Sequence, residues 1–242
     1  MIRQIYVLAL FLMLGIGKAQ PKISVDLGLG YYQPTLTGFD EYGIFTANTA
    51  SEDLLTRNML TNYGIYYEFF YNARIGITTL GSTETKSDVI LENSALVDFD
   101  RKLTYRLFPV ETFFRWKPKI EFNFTLMPIW CRASISLKTT PTQQSDDWNA
   151  FVNEFNELND QIVDLDASDQ MTSNWFGYGS MLGVRYYITS RMAIDFKSGF
   201  MNQNYDETKW RLREKKISGP KMKLDDLPLF SLKFSYGFRW GL

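Results

Sequence analysis

The sequence predicts an all-β fold: an eight-stranded, antiparallel, up-and-down barrel that crosses a membrane with its strands. Three observations predict it. Apolar and polar residues alternate with a period of two through eight segments of the 242-residue chain. The connections between those segments are short and long by turns. The chain opens on an export signal.

The alternation is plainest at the C-terminus. Phe230, Leu232, Phe234, Tyr236, Phe238, Trp240 and Leu242 share one parity, and Ser231, Lys233, Ser235, Gly237, Arg239 and Gly241 the other. Successive side chains of a strand point to opposite faces, so the segment has one apolar and one polar face. In the first segment Ile23, Val25, Leu27, Leu29 and Tyr31 oppose Lys22, Ser24, Asp26, Gly28 and Gly30. In the second, Tyr63, Ile65, Tyr67, Phe69 and Tyr71 oppose Asn62, Gly64, Tyr66, Glu68 and Phe70. Ile75 and Ile77 oppose Arg74, Gly76 and Thr78 in the third. The sixth sets Phe176, Tyr178, Leu182, Val184, Tyr186 and Ile188 against Gly177, Gly179, Met181, Gly183, Arg185 and Tyr187. The seventh sets Met192, Ile194, Phe196 and Phe200 against Ala193, Asp195, Lys197 and Gly199.

The fourth and fifth segments, 102–116 and 119–138, each change phase once. Leu103, Tyr105 and Leu107 give way after Pro109 to Val110, Thr112, Phe114 and Trp116. Ile120, Phe122, Phe124 and Leu126 give way after Pro128 to Ile129, Cys131, Ala133, Ile135 and Leu137. Proline cannot donate to a ladder, and an extra residue in one strand shifts the phase by one. The reading is a pair of facing β-bulges, Pro109 opposite Met127–Pro128; the alternative is a strand end placed wrongly.

Short connections fall near Asn72, at Lys117-Pro118-Lys119 and at Thr189-Ser190-Arg191. Long ones fall at about 35–60, 84–98, 139–173 and 204–226, which puts both termini at the short-turn end. An even number of roughly ten-residue strands, with short turns at one end and long loops at the other, is how outer-membrane barrels are organised.

Residues 1–19 read as a signal peptide and 20–242 as the barrel domain. Arg3 supplies the positive charge, residues 5–16 are an unbroken apolar run, and Gly17 and Ala19 suit cleavage after Ala19. The run is short of the roughly 20 residues a helical span needs; a retained helical anchor is the alternative.

A soluble lipid-binding barrel also alternates, with its apolar face inward. Here that face is too bulky for an eight-strand lumen, which is only just wide enough for side chains. The apolar face is therefore expected to point outward into lipid, and the Gly-rich, charged face inward. Tyr31, Tyr71, Trp116 and Trp240 would sit in interfacial girdles.

The chain resembles the small outer-membrane β-barrel (porin-family, OmpX/OmpA-like) domain of Gram-negative bacteria. The likeness lies in the signal peptide, in KLTYRLFPVETFFRWKP followed by KIEFNFTLMPIW, in GYGSMLGVRYYITSRMAIDFKSGF and in the alternating last strand. It covers nearly the whole mature chain and implies an outer-membrane location. The family ends in an aromatic residue read by the barrel-assembly machinery. Phe238, Trp240 and Leu242 would carry that signal here, with Leu242 in the aromatic position as a departure.

Composition excludes much chemistry. The chain has no His and one Cys. Ser-His-Asp hydrolysis, His-ligated metals, an intrachain disulfide and a Cys-based zinc site all fall away. The outer-membrane enzymes of similar size lean, by resemblance, on a catalytic His. No catalytic residue, metal or cofactor is expected, and a net charge of -1 gives no reason to expect a nucleic-acid partner.

The polar face is expected to crowd the lumen with a charge network. Its members are Asp26, Glu68, Arg106, Glu111, Arg115, Glu121, Arg132, Arg185, Asp195, Lys197, Lys233 and Arg239, joined by Arg74 and Lys102. Buried charges must pair, so the network reads as a plug, or else as a thin ion path with an excess of positive charge. The third long loop carries Asp146, Asp147, Glu154, Glu157, Asp160, Asp164, Asp166 and Asp169 and no Lys or Arg. Phe151, Phe155, Leu158 and Ile162 predict an amphipathic helix within it. The fourth loop is basic, with a strip of Lys209, Arg211, Arg213, Lys215 and Lys216 followed by Lys221 and Lys223. The alternation of KWRLREKK suggests that strand seven projects past the membrane. The strip would either meet lipopolysaccharide phosphates or close on the acidic loop as a lid.

The expected function is non-enzymatic: a monomeric membrane scaffold or surface interaction protein. The alternatives are a narrow channel or small-solute porin, and an accessory subunit of a larger outer-membrane machine such as type IX secretion. Expected partners are outer-membrane lipid and lipopolysaccharide, the barrel-assembly machinery during biogenesis, and an unidentified outer-membrane protein.

Overall fold

The structure, a computed structural model, describes residues 22–32, 35–36, 59–90, 96–138, 148, 170–219, 222–224 and 227–239. The segment read as a signal peptide, most of the first and third long loops, Trp240 and Leu242 lie outside the described residues.

Eight barrel strands follow one another: β1 (Lys22–Tyr32), β2 (Met59–Phe70), β3 (Ala73–Ile90), β4 in two pieces (Leu96–Leu107 and Val110–Lys117), β5 (Ile120–Lys138), β6 (Met171–Tyr187), β7 (Met192–Asn204) and β8 (Leu227–Arg239). Each pairs antiparallel with its neighbour in sequence. The ring closes where β1 meets β8, with Lys22 opposite Arg239 and Tyr32 opposite Leu229. Closure leaves no unpaired strand edge, which a membrane-spanning sheet requires. Two-residue turns at Tyr71-Asn72 and Pro118-Lys119, and a bend at 188–191, join the strands at one end. Thr189 Oγ1 holds that bend by accepting from Arg191 N (3.2 Å) and Met192 N (3.0 Å).

The pleat runs through the two prolines without a slip. Leu107 opposes Ile129 and Val110 opposes Leu126, so equal lengths of chain separate the two pairs. The expected facing bulges are absent there; Phe108 N donates across to Pro128 O at 3.0 Å. Register shifts fall instead between Glu68 and Phe70, between Lys86 and Val89, and between Arg115 and Lys117. What changes at the prolines is chemistry. In β4 the even positions point outward throughout: Lys102, Thr104 and Arg106 above, Val110, Thr112, Phe114 and Trp116 below. The odd positions point inward: Leu103, Tyr105 and Leu107 above, Glu111 and Phe113 below. In β5, Ile129, Cys131, Ala133, Ile135 and Leu137 likewise point inward.

The barrel therefore has two halves. In the short-turn half the outward face is apolar on every strand; Leu27, Ile65, Ile77, Phe114, Phe122, Leu182, Phe196 and Leu232 are all exposed. The inward face there is charged. In the long-loop half the polarity is reversed. Tyr32, Leu60, Leu80, Tyr105, Ile135, Trp175, Met201 and Leu229, one from each strand, belong to a single buried apolar cluster. The polar interior expected from the sequence holds for the short-turn half alone. The outward belt runs on β5 from Ile120 to Trp130, about 34 Å of strand. At a tilt of about 40° that is about 26 Å of height, the thickness of the apolar band of such barrels. Trp116 stacks near Phe122 at its lower edge (ring centroids 6.1 Å) and Trp130 near Phe176 at its upper edge (5.6 Å). Tyr71, exposed beside the β2–β3 turn, takes the lower-edge place expected of it. Among the described residues no helix is long and apolar enough to cross a membrane.

The second connection is shorter than expected. β3 continues to Ile90 and β4 begins at Leu96, leaving only 91–95 between them. Residues 84–90 and 96–98 hold Thr, Val, Ile and Leu, which suit a pleated ribbon, and they pair across the hairpin. The fourth connection is built rather than loose. A 3₁₀ turn (Glu207–Lys209) leads into a hairpin of Trp210–Leu212 and Lys215–Ile217, and this pairs with the top of β6 through Arg211–Thr172 and Leu212–Met171. KWRLREKK thus folds back as its own hairpin instead of prolonging β7. Met222–Lys223 pairs with Thr35–Leu36.

Candidate functional site

The short-turn half of the lumen is filled by an ion-pair network to which every strand contributes an inward side chain. Four acids, Asp26, Glu111, Glu121 and Asp195, are fully buried. Four bases, Arg74, Arg185, Lys197 and Lys233, are at most 5% exposed. Among the described residues the buried charges balance, so the expected excess of positive charge is not found among them.

Glu111 on β4 is the hub. It accepts from Arg74 on β3, from Lys197 on β7, and from Thr125 Oγ1 at 2.9 Å. The Lys197 contact crosses the lumen between strands that are not neighbours. Arg74 Nη2 also donates to Glu121 Oε1 at 2.5 Å. The other Glu121 oxygen accepts from the Tyr187 hydroxyl at 2.7 Å and from Arg115 Nη2 at 3.2 Å. Arg185 grips Asp195 Oδ2 with Nε (3.2 Å) and Nη2 (2.7 Å), and Asn123 Nδ2 donates to Asp195 Oδ1 at 3.2 Å. Asp26 accepts from Ser235 Oγ at 2.6 Å and lies 3.6 Å from Arg185 and 3.9 Å from Lys233. Lys233 Nζ donates to the Tyr66 hydroxyl at 2.8 Å, which also accepts from Thr78 Oγ1 at 3.1 Å. The Arg74 guanidinium sits 4.6 Å over the Phe113 ring. In a low-dielectric lumen such charges persist when they are paired and hydrogen-bonded; each carboxylate here is ion-paired, while Asp26 Oδ2 has its counter-charges at 3.6 and 3.9 Å and no hydrogen-bond donor.

Glycine makes room for the network. A Cβ on Gly183 would come within 2.4 Å of Asn123 Oδ1 and 2.6 Å of Lys197 Cγ. One on Gly76 would lie 2.6 Å from the Tyr66 ring and 2.8 Å from the Ile65 carbonyl oxygen. The space left is small. A cavity of about 40 Å³ at the short-turn mouth is lined by Glu68, Arg74, Arg185 and Tyr187 among others. A second of about 20 Å³ lies where the halves meet, between Thr125, Lys197 and Lys233 on one side and Leu107, Met127 and Met181 on the other. A water needs roughly 10–15 Å³ by the same measure, so the inner cavity has room for one.

The expected network members divide. Asp26, Glu111, Glu121, Arg185, Asp195, Lys197 and Lys233 are in the plug, with Arg74. Glu68 lines the short-turn mouth, and Arg115, 40% exposed, reaches in from the rim. Arg106, Arg132 and Lys102 are not in the lumen: their even positions put them on the outer wall of the long-loop half, exposed to water. The reason is the polarity reversal. Above the belt the dry side of the wall is the inside, so charge goes out. Arg239 pairs with Lys22 in the closing seam, and its side chain lies outside the described ones. Phe238 is 46% exposed at the end of the belt, whereas Trp240 and Leu242 are beyond the described residues. Tyr66, Tyr187, Asn123 and Thr125 escaped the sequence reading as network members. Their parity, shared with Glu68, Arg185 and Glu121, is the signal that finds them.

The apolar chamber above the plug is closed from the top. Trp210, Leu212 and Ile217 of the hairpin, with Leu224 and Trp148, are buried in it. Trp210 Nε1 donates to the Tyr205 hydroxyl at 2.7 Å, and Tyr205 packs edge-on to Trp175 at 5.0 Å. Trp175 Nε1 donates to Gln203 Oε1 at 2.6 Å, which also takes the Cys131 thiol at 3.3 Å. Burial raises the Tyr205 hydroxyl well above its ordinary range. The basic strip Lys209, Arg211, Arg213, Lys215 and Lys216 is exposed on the other side of this hairpin. The acidic residues 146, 147, 154, 157, 160, 164, 166 and 169, and the helix expected among them, fall outside the described residues.

No protein-family model and no curated protein matches the chain. Solved structures do. The outer membrane protein OprG of Pseudomonas aeruginosa superposes with a TM-score of 0.50 at 11% identity, over 93% of this chain and 99% of that one. Ail, the attachment invasion locus protein of Yersinia pestis, gives 0.47 at 11% identity over 91% and 100%. Outer membrane protein W of E. coli gives 0.45 at 9% identity over 92% and 100%. The closed ring of eight strands, the apolar belt and the likeness to OprG together show that this chain has the fold of the small eight-stranded outer-membrane β-barrels.

Proposed function

We propose that the protein is a non-enzymatic integral barrel of the outer membrane, shut by its own ion pairs, that serves as a membrane scaffold presenting its long-loop end as a surface for interaction. One observation carries the reading: among the described residues four buried acids and four buried bases neutralise one another across the lumen, and the cavities described beside them, of about 40 and 20 Å³, have room for no more than a few waters. A conducting path needs a continuous wet file, and eight strands give little room for one. Each of the four buried carboxylates is ion-paired within the plug. The hairpin over the chamber closes the long-loop end as well.

The test is the purified protein in planar lipid bilayers, together with fractionation of the native envelope. The expected result is recovery in the outer-membrane fraction and no steady single-channel current. Stable unitary currents would replace the scaffold reading with the channel.

A further inference from the structure

We propose that the outer wall just above the belt is a binding site for the phosphate of a lipid headgroup in the leaflet that surrounds the long-loop half. The proposal rests on the membrane reading and adds a ligand to it. Its core is three cations, Lys102 and Arg106 on β4 and Arg132 on β5, all outward and exposed. The register places them around one point. Thr104 faces Arg132 directly, Lys102 faces Ser134, and Arg106 faces Trp130. Directly opposed side chains start about 5 Å apart and diagonal ones about 7–8 Å. Two arginines and a lysine at that spacing close round a single phosphate group, with the Thr104 hydroxyl at the centre. Guanidinium and ammonium donors to phosphate form the shorter, stronger class of hydrogen bond.

Two further observations support the site. None of the three cations forms an ion pair with another described residue, although the eight buried charges below are all matched. The nearest acid on the same outward row, Asp100, stands beyond Lys102 on the side away from the belt and does not line the site. The cations also line a groove of about 690 Å³ whose lower wall includes Tyr63 and Trp130.

Height decides for a lipid over a dissolved anion. Arg106 is the outward residue of β4 immediately above Phe108, and its cross-strand partner Trp130 marks the top of the belt. Tryptophan collects at that boundary, where headgroups meet hydrocarbon. An amphiphile seated here sets its phosphate among Lys102, Arg106 and Arg132, while its acyl chains run down the wall over Phe108, Leu126 and Tyr178, which are exposed to lipid. A free anion would gain only the first half of those contacts, and surface charge alone is screened within about 10 Å at ordinary salt.

Native mass spectrometry of the full-length mature protein, refolded in a neutral detergent, tests this. The probes are bis-phosphorylated lipid A, the same glycolipid with its phosphates removed, and inorganic pyrophosphate as the acyl-free arm. The wild type is expected to retain the phosphorylated lipid and neither of the others. The triple substitution Lys102→Gln, Arg106→Gln and Arg132→Gln is expected to weaken retention by about tenfold or more. A control with Lys215→Gln and Lys216→Gln, on the hairpin, is expected to retain it as the wild type does. Heat-modifiable gel mobility shows whether each variant has closed its barrel; the outward position of all five residues leaves the fold intact. Equal retention by the triple variant, equal retention of the dephosphorylated lipid, or pyrophosphate binding as strong as the lipid's would each overturn the site. A protein that fails to enter bilayers at all overturns the membrane reading itself, a separate outcome.

Discussion

The two halves of the barrel share one pleat and one set of strands, yet they are inside out with respect to each other. Below Met127 the wall is greasy outside and ionic inside; above Trp130, where the outer belt ends, it is hydrophilic outside and packed with Leu, Ile, Met and Trp inside. The difference shows that alternation fixes only which residues share a face. The medium outside decides which face must be apolar. Where the wall meets hydrocarbon, the outward row carries the apolar residues and the narrow lumen takes the charges. Where the wall meets water, the interior is the one dry place available, and it fills as a soluble barrel does.

The contrast can be broken first in the plug. Glu111→Leu removes the carboxylate shared by Arg74 and Lys197 and leaves two buried cations short of a partner. Loss of one member of a buried pair costs roughly 3–5 kcal/mol, and the expected result is a matching fall in stability by denaturant unfolding in lipid vesicles. In the chamber the expected currency is volume rather than charge. Ile135→Ala, at a fully buried site, is expected to cost about 3 kcal/mol through its cavity, with no change in bilayer conductance. A matched pair on the outer wall then locates the boundary. Leu126→Arg, in the belt, is expected to cost about 2–4 kcal/mol. Ser134→Arg, on the same face of the same strand but above Trp130, is expected to cost less than about 0.5 kcal/mol. Similar costs for the two would place the membrane edge elsewhere. The smallest effect belongs to the hairpin: Arg213 is held at φ 53°, and Arg213→Gly is expected to raise hairpin protection in hydrogen exchange by about 0.5–1 kcal/mol.

Most of the architecture was legible because strand parity is a local property. Strand number, the three short turns and the outward rows of β1, β2, β6, β7 and β8 followed from counting by twos. All eight buried charges of the plug followed too, since a charged residue opposite Phe or Ile in a narrow barrel has nowhere else to go. What failed was the fourth and fifth strands. Leu103, Tyr105 and Ile129 were expected to lie on the lipid face because they are apolar, and the apparent phase slip was attributed to bulges at Pro109 and Pro128. The register shows that nothing slips. A change of surroundings part-way along a strand is not encoded within any ten-residue window; it is set by how far the whole barrel rises from the bilayer. The same misreading put Lys102, Arg106 and Arg132 inside. The hairpin over residues 210–217 was hidden for a related reason: its inward residues, Trp210, Leu212 and Ile217, are inward only because the chamber below them is dry.

The seam between β1 and β8 has a consequence for assembly. The sole buried carboxylate of the first strand, Asp26, meets the Ser235 hydroxyl and the Lys233 ammonium only when the last strand arrives, more than two hundred residues later. Until then the carboxylate lacks the Ser235 donor and the Lys233 charge, and has only Arg185 of β6, across the lumen, to face. Ring closure thus latches itself: the final strand to be inserted delivers the donors that neutralise the opening one, and an incomplete barrel carries a built-in electrostatic reason to finish.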